Sequence, residues 1–460
     1  MSSGSYGSMA IRPSSIRRRI VRSDRTTRRF YEPVRQSPEQ EPRVRDTLSL
    51  EPTPRLLSGL DCDNVRSAVS MLFPPIDPNE RFRQRRAAVR RRKRLRRGAL
   101  IGISLGGVAA LGVGAQLVGG ARPAVPRQQS APLAAQSGAH TLPIEIRGVH
   151  VTMGLASLPG RLARYLDLQR EGMTALELDV KDENGNVGFV PQGVPLARRV
   201  GAARSYYSAR AAARLVHSRG VYLIGRVVTF EDPTLASGRP DLAVRRQDGS
   251  VWHDRAGLGW TNPYDRRVWK YDADVAAAAA RAGFDEVVFD YVRFPSDGDV
   301  EAAVYSNPRH MAKRDAVPGF LRYVSRRLAP FGVRVSASVF GLSAARDLGI
   351  GQVPRRIAPL VDAVYPMTYP SLFGPGELGL TDPSASPGAT VTLALHTFRR
   401  AVRGTNALLV PWVQDFSFSR TYGLDQVRAQ IDAARLAGAK GFLLWNAHGE
   451  YTDGALTAAN

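Results

Sequence analysis

From residue 144 onward the chain repeats one pattern. Runs of eight to ten residues rich in β-branched and other apolar side chains recur at 144–152, 175–182, 221–230, 285–294, 333–341, 360–369, 407–416 and 441–449. Stretches of helical period lie between them. Those at 209–220 and 267–283 end in glycine directly before the next run, and that at 424–441 runs into the last one. Glycine takes the left-handed turn that closes a helix, so helix, glycine and apolar strand in succession mark an αβ unit. Eight such units within residues 143–460 predict an α/β fold, a (β/α)8 TIM barrel. No GxGxxG follows the first run, which argues against the alternative of a doubly wound open sheet.

In such a barrel the polar residues near the C-terminal ends of strands carry function, and side chains alternate between the two faces. In the second run the apolar set Leu176, Leu178 and Val180 belongs against the helices, which sends Glu177, Asp179 and Lys181 inward. Three inward charges are costly unless they pair with one another or line a site. Asp179, nearer the strand end, is the candidate catalytic residue; Glu177 and Lys181 are supporting partners. In the fourth run Asp290 faces inward between Val288 and Val292, where packing gives no reason for a carboxylate. Arg226 of the third run shares the face of Ile224 and Val228 and is suited to hold a carboxylate charged. Arg293 lies one position off the inward parity and is expected at the mouth or against a helix. Tyr365, Met367 and Tyr369 share a face of the sixth run, and Trp412 and Gln414 one of the seventh. In the eighth, Trp445 lies near the strand end. Aromatic faces at a barrel mouth suit sugar rings as readily as core packing. Substrate-binding candidates are therefore Arg226, Tyr369, Gln414, Trp445 and Met367.

The first 142 residues have a different character. Residues 1–97 are rich in Arg, Ser, Pro and Glu without an apolar period, which predicts a disordered tail. Eleven of the seventeen residues at 81–97 are basic, and 24 uncharged residues follow at 98–121. A helix of that length spans about 36 Å, enough for a bilayer core of about 30 Å. Gly98, Gly102 and Gly106 fall at GxxxG spacing. The basic flank is N-terminal, so the positive-inside rule keeps the tail in the cytoplasm and puts residues beyond 121 outside. A cleaved signal peptide is the rival reading. Residues 122–142, rich in Pro, Ala, Gln and Ser, read as a linker. Membrane lipid is the expected partner of residues 81–121.

Composition narrows the chemistry. The 460 residues carry a net charge of +23, of which the first 97 supply +14. Only five of the 64 basic residues are lysine. The arginine excess, with abundant alanine and glycine, fits a GC-rich genome better than nucleic-acid binding. The basic run also lacks interleaved aromatics, so no nucleic acid is expected as a partner. A single cysteine excludes a disulfide framework and a multi-cysteine zinc site, and seven scattered histidines include no HExxH. No metal and no cofactor are expected.

GFDEVVFDYVRFPSDG at 283–298, with YPMTYPS on the sixth run and RGVHVT on the first, resembles the bacterial putative glycoside hydrolase family of TIM barrels, whose mark is an FDYVRFP-type fourth strand. The resemblance covers most of residues 144–455 and implies a polysaccharide or glycan substrate. More distantly the chain is similar to the chitinase-like glycoside hydrolases, whose fourth strand reads like GFDGIDIDWEYP. Gly283, Phe284, Asp285, Asp290, Pro295, Met367, Tyr369 and Trp445 match that pattern. The position of the chitinase acid/base glutamate is Val292 here, and that of the preceding inward aspartate is Val288. Chitinase chemistry therefore does not carry over, and Asp290 alone survives from its motif.

Glycosidic hydrolysis normally uses two carboxyl groups, about 5–5.5 Å apart for retention or about 6.5–9.5 Å for inversion. Asp290 and Asp179 are the expected pair, with Asp182, Glu231, Asp415 and Asp382 in reserve. Two functions follow: a membrane-anchored hydrolase of cell-envelope or extracellular polysaccharide, or a non-catalytic glycan-binding barrel that kept the cleft and lost the acid. The charged second strand favours the first, and the missing glutamate the second.

Overall fold

The computed structural model describes residues 141–418 and 420–457. The tail and anchor expected at 1–121, and all of the linker but its last two residues, lie outside them. Among the described residues, no helix is long and apolar enough to cross a membrane.

Each of the eight runs forms a stave of one parallel sheet. β1 (Ile146–Val151), β2 (Ala175–Lys181), β3 (Tyr222–Val228), β4 (Glu286–Asp290), β5 (Arg334–Phe340) and β6 (Ala363–Met367) pair in sequence. The seventh stave is split into β7 (Leu408–Leu409) and β8 (Trp412–Gln414). Pro411 between them has no N–H to give the ladder, although its carbonyl still accepts from Leu443 N. β8 pairs with β9 (Gly441–Trp445), and β9 with β1, which closes the barrel. The expected (β/α)8 architecture is thus present.

The helices form where the period predicts, with shorter C-terminal ends. Ala209–His217, Arg266–Ala282 and Leu424–Leu436 stop one to five residues before the glycine or strand expected to close them, except that Gly283 directly caps the second. Gly283 has φ 105°, and its N–H reaches the carbonyls of Ala279 and Ala280. Any side chain at that φ is strained.

Two apolar layers hold the barrel. The outer one lies between sheet and helices and takes Val149, Leu176, Leu178, Leu223, Val227, Val287 and Phe289, with Trp269 and Phe320 from the helices. The inner one contains Ile146, Tyr222, Ile224, Val288, Tyr365, Trp412 and Leu443. Gly148 lies within it, because a Cβ there would meet Leu443 at 2.0 Å. Glu286 is the polar group of the barrel floor. Its carboxyl accepts from Ser336 Oγ (2.5 Å), Tyr365 Oη (2.7 Å) and Tyr222 Oη (3.1 Å), which removes the cost of burying it without partners.

The strict alternation read from the second strand fails at its end. The register between β2 and β3 slips between Asp179 and Lys181, as at a β-bulge. Glu177 and Asp179 face inward as expected, but Lys181 turns outward to the helix layer. Its ammonium lies 2.6 Å from Asp272 Oδ1 and 2.9 Å from Asp232 Oδ2, and faces the ring of Tyr271. It supports the second stave from outside the barrel and takes no part in the inner site.

Candidate active site

Arg226, fully buried on β3, organises the C-terminal mouth. Its Nε and Nη2 donate to Asp290 Oδ2 at 2.9 and 2.7 Å, and its Nη1 to Asp179 Oδ1 at 2.9 Å. Nη2 also reaches Glu183 Oε1 at 2.7 Å. Strand order explains the arrangement, since β3 lies between β2 and β4 and Arg226 stands in register with Asp179. The bonded oxygens of Asp179 and Asp290 sit on one planar guanidinium, so they are at most about 8 Å apart, two hydrogen bonds plus its width. That limit falls within the spacing of glycosidase carboxyl pairs.

Asp290 is held further by its neighbour. Tyr291 N donates to Asp290 Oδ1 at 2.8 Å. Tyr291 adopts φ 49°, in the left-handed region that a tyrosine rarely enters. Strain of this kind persists where surrounding structure fixes the backbone, and it gathers at functional sites.

The wall beside the acids is aromatic. Trp445 stacks on Trp412, with centroids 5.0 Å apart and planes at 19°, and lies 6.5 Å from Tyr369. The Arg226 guanidinium sits 5.0 Å from the Trp445 ring centre. Tyr369 Oη and Trp412 Nε1 are buried without a hydrogen-bond partner in the protein. Met367 packs against the inner layer below them. Gln414 is tied within the protein: its Oε1 accepts from Ser371 N (3.0 Å) and its Nε2 donates to the Phe416 carbonyl (2.9 Å). It therefore fastens the loop after β6 to the seventh stave.

Arg293 stands apart from the acid pair. Its guanidinium lies among the rings of Trp260, Tyr291 and Phe340, at 4.9, 4.9 and 4.6 Å, and donates to Ser296 Oγ at 3.0 Å. Of the reserve acids, Asp182 closes a turn by accepting from Asn184 N and Asn186 N. Asp415 is held by Thr452 through N and Oγ1, and Asp382 is exposed and paired with Arg420. Glu231 is different. It follows β3, where Thr229 N and Phe230 N bond the carbonyls of Asp290 and Tyr291, and so lies along the end of β4.

Burial sets the electrostatics. It pushes Asp179 up to about 7, against the opposing pull of Arg226. It pushes Glu231 up to about 9, with Arg293 pulling the other way, and holds Glu177 well above its ordinary value. Burial, helped by Arg226, depresses His150 so that the imidazole is neutral. For Arg226 itself burial works against the charge but is outweighed by Glu183, Asp290, Asp179 and Glu177. A desolvated carboxyl that titrates near neutrality is suited to give and retake a proton.

Sequence reasoning missed His150 and Glu183. His150, on β1, lies 2.8 Å through Nδ1 from Glu177 Oε2, and its ring centre is 4.1 Å from that of Trp445. Its signal was present in RGVHVT, a histidine at inward parity between two valines. Glu183 lies in the loop after β2, where parity says nothing.

A closed parallel barrel with paired carboxyl groups and an aromatic wall at its C-terminal mouth has the form of a glycosyl-hydrolase-like barrel. The chain belongs to the family described as "putative glycosyl hydrolase domain", which it matches over residues 148–451. Among solved structures it is similar to a hypothetical protein from Ruminiclostridium thermocellum, at 33% identity over 41% of this chain and 96% of that one, with TM-score 0.38. It shares the fold of the PgaB (BpsB) glycoside hydrolase domain from Bordetella bronchiseptica, at 13% identity over 67% and 95%, with TM-score 0.51. A class V chitinase from Pseudomonas fluorescens is also similar, at 12% identity over 68% and 98%, with TM-score 0.42. None of the curated proteins compared with the chain is similar to it.

Proposed function

We propose that the protein is a membrane-anchored glycoside hydrolase acting on cell-envelope or extracellular polysaccharide by carboxylate acid/base chemistry. One observation carries the reading: Asp179 and Asp290, from β2 and β4, are presented by a single buried guanidinium beside Trp445. Trp412 and His150 cover the faces of Trp445, so a sugar ring set against its edge would bring the glycosidic bond over the pair. Asp179, pushed up by burial, donates the proton to the leaving oxygen, and Asp290 acts from the other side as base or nucleophile. Tyr369 Oη and Trp412 Nε1, without partners in the protein, would bond the substrate's hydroxyls. The anchor at 98–121 would hold the barrel outside the cytoplasmic membrane, with membrane lipid as the partner of residues 81–121.

The test is release of reducing ends from envelope and extracellular glycans by the purified protein, with Asp290→Asn as control. Release lost in the variant supports the reading. A second reading, a non-catalytic glycan-binding barrel, is favoured by the clamp itself, because Arg226 engages both carboxyl groups. Glycan binding with no release by either protein would select it.

A further inference from the structure

Beneath Asp179 of the acid pair lie two further titratable side chains, in line with it, that the acid/base reading does not use. Glu177 Oε2 is 2.8 Å from His150 Nδ1, and His150 Nε2 is 3.7 Å from Asp179 Oδ1. All three are buried. His150 Nε2 and Glu177 Oε1 have no hydrogen-bond partner in the protein. A histidine kept only to fill the core would have both nitrogens satisfied, and an orphaned buried polar atom asks for a reason. The 3.7 Å gap is longer than a hydrogen bond and too short for a water to stand between. A small rotation of either side chain closes it, as catalytic contacts tighten when substrate binds. The rest of the imidazole is fixed: Trp445 covers its face, and the Tyr451 hydroxyl donates to its backbone carbonyl.

We propose that Glu177, His150 and Asp179 form a proton relay in which Glu177 is the reserve that reloads Asp179 through the imidazole. The proposal rests on the reading of Asp179 as the acid of a glycoside hydrolase. In the reloading step the Glu177 O–H bond breaks as the His150 Nδ1–H bond forms. The Nε2–H bond breaks as the Asp179 O–H bond forms. One proton has then moved from Glu177 to Asp179, and the imidazole has changed tautomer without becoming a cation.

The surroundings fit this exchange. The groups that face it are Glu177 and Asp179 on β2, Asp182 and Glu183 in the following loop, Tyr207 beyond it, Arg226 on β3, Glu286 and Asp290 on β4, Tyr365 on β6, Tyr369 after β6, and Tyr451 near the end of the chain. Burial keeps His150 neutral and raises both Glu177 and Asp179, so a proton is available between them. Asp179 Oδ1 also takes the Arg226 Nη1 bond, which steadies Asp179 after its proton has left. His150 and Glu177 touch no substrate in this scheme and act through Asp179 as positioning and proton-holding residues.

The test uses the full-length protein with two variants that preserve the Glu177–His150 contact. In His150→Asn the amide takes the place of Nδ1 and Nε2 is lost. In Glu177→Gln the amide still bonds Nδ1 but can neither give nor take a proton, so pH no longer drives the imidazole between tautomers through position 177. Each is expected to lower kcat about tenfold or more with KM unchanged and to displace the pH profile of kcat, while Tm stays near that of the parent. Nitrogen-15 NMR of labelled histidine, with the His150 signal assigned from His150→Asn, supplies a readout independent of activity. The tautomer of His150 should change with pH in the parent and stay fixed in Glu177→Gln. A parental kcat and pH profile in both variants overturns the relay, and so does a fixed tautomer in the parent. If the tautomer moves as expected but no glycan is cleaved, the relay stands and the hydrolase reading fails.

Discussion

Asp290 and Asp179 draw on the same cation, so substitutions at the three positions have different consequences. Asp290→Asn keeps an acceptor for Arg226 and removes one charge from a crowd of acids that includes Asp179, Glu183 and Glu177. We expect turnover to fall at least about 100-fold, with the unfolding midpoint little changed, as is common when a charge is removed from a functional site. A large drop in midpoint with turnover intact would make Asp290 a structural partner of Arg226. Arg226→Met does the opposite: it leaves buried carboxyl groups without their cation and should cost about 3–5 kcal/mol, measured by chemical denaturation. Acidity adds a further signature. Asp179 is pushed up to about 7 and Glu231 up to about 9, so the folded chain holds these protons more tightly than the unfolded one. Their contribution to stability is complete below the unfolded values near 4 and is lost as pH climbs through about 7 for Asp179 and about 9 for Glu231. The thermal midpoint should therefore fall between about pH 5 and pH 9, and fall less in a double variant of Asp179→Asn with Glu231→Gln. An equal slope in that variant would contradict the assignment.

Among the elements, β2 shows how far a strand pattern can be read. Alternation fixes the faces of Glu177 and Asp179 because Leu176, Leu178 and Val180 must meet the helices, and this holds as long as the ladder is regular. The slip before Lys181 is a backbone event whose cause lies in pairing with β3, so nothing in ALELDVK announces it. The same limit hid Glu183 and left Glu231 a mere reserve, since both lie beyond strand ends where the period stops. The eight staves were legible from their apolar runs, the seventh despite its split at Pro411, and Arg226 and Asp290 because the alternation holds as far as each. It breaks directly after Asp290, where Tyr291 takes φ 49° and Val292, expected on the inward face, packs in the outer layer. His150 was equally legible by parity, but one polar residue among valines carries little weight until its partner Glu177 is seen beside it. The outward turn of Lys181 makes a prediction at this scale. Its ammonium joins the second stave to Asp272 of the helix Arg266–Ala282 and to Asp232. Lys181→Met should leave two buried acids unpaired and lower stability by about 3–5 kcal/mol. If denaturant curves of variant and parent coincide, this ion pair does not hold the helix to the sheet.

At the scale of the whole molecule, the asymmetry of charge along the chain bears on where the barrel works. The 24 uncharged residues at 98–121 are preceded by eleven basic residues in seventeen and followed by a linker that holds two arginines, Arg122 and Arg127, among Pro, Ala and Gln. A segment inserted with that flank keeps its basic side in the cytoplasm. On the proposed anchoring the barrel would stand outside, joined to the membrane segment by the linker. The linker, rich in small residues and proline, is the place where a protease should cut, because a closed barrel offers few unpaired segments. Protease added to intact spheroplasts should therefore release a fragment that begins near residue 143 and retains the barrel, while a tail of about 97 residues stays protected inside. The two pieces are told apart by antibodies to tags at either end. A barrel that remains attached in intact spheroplasts, yet is cut free once they are lysed, would put it in the cytoplasm and exclude envelope polysaccharide as its substrate.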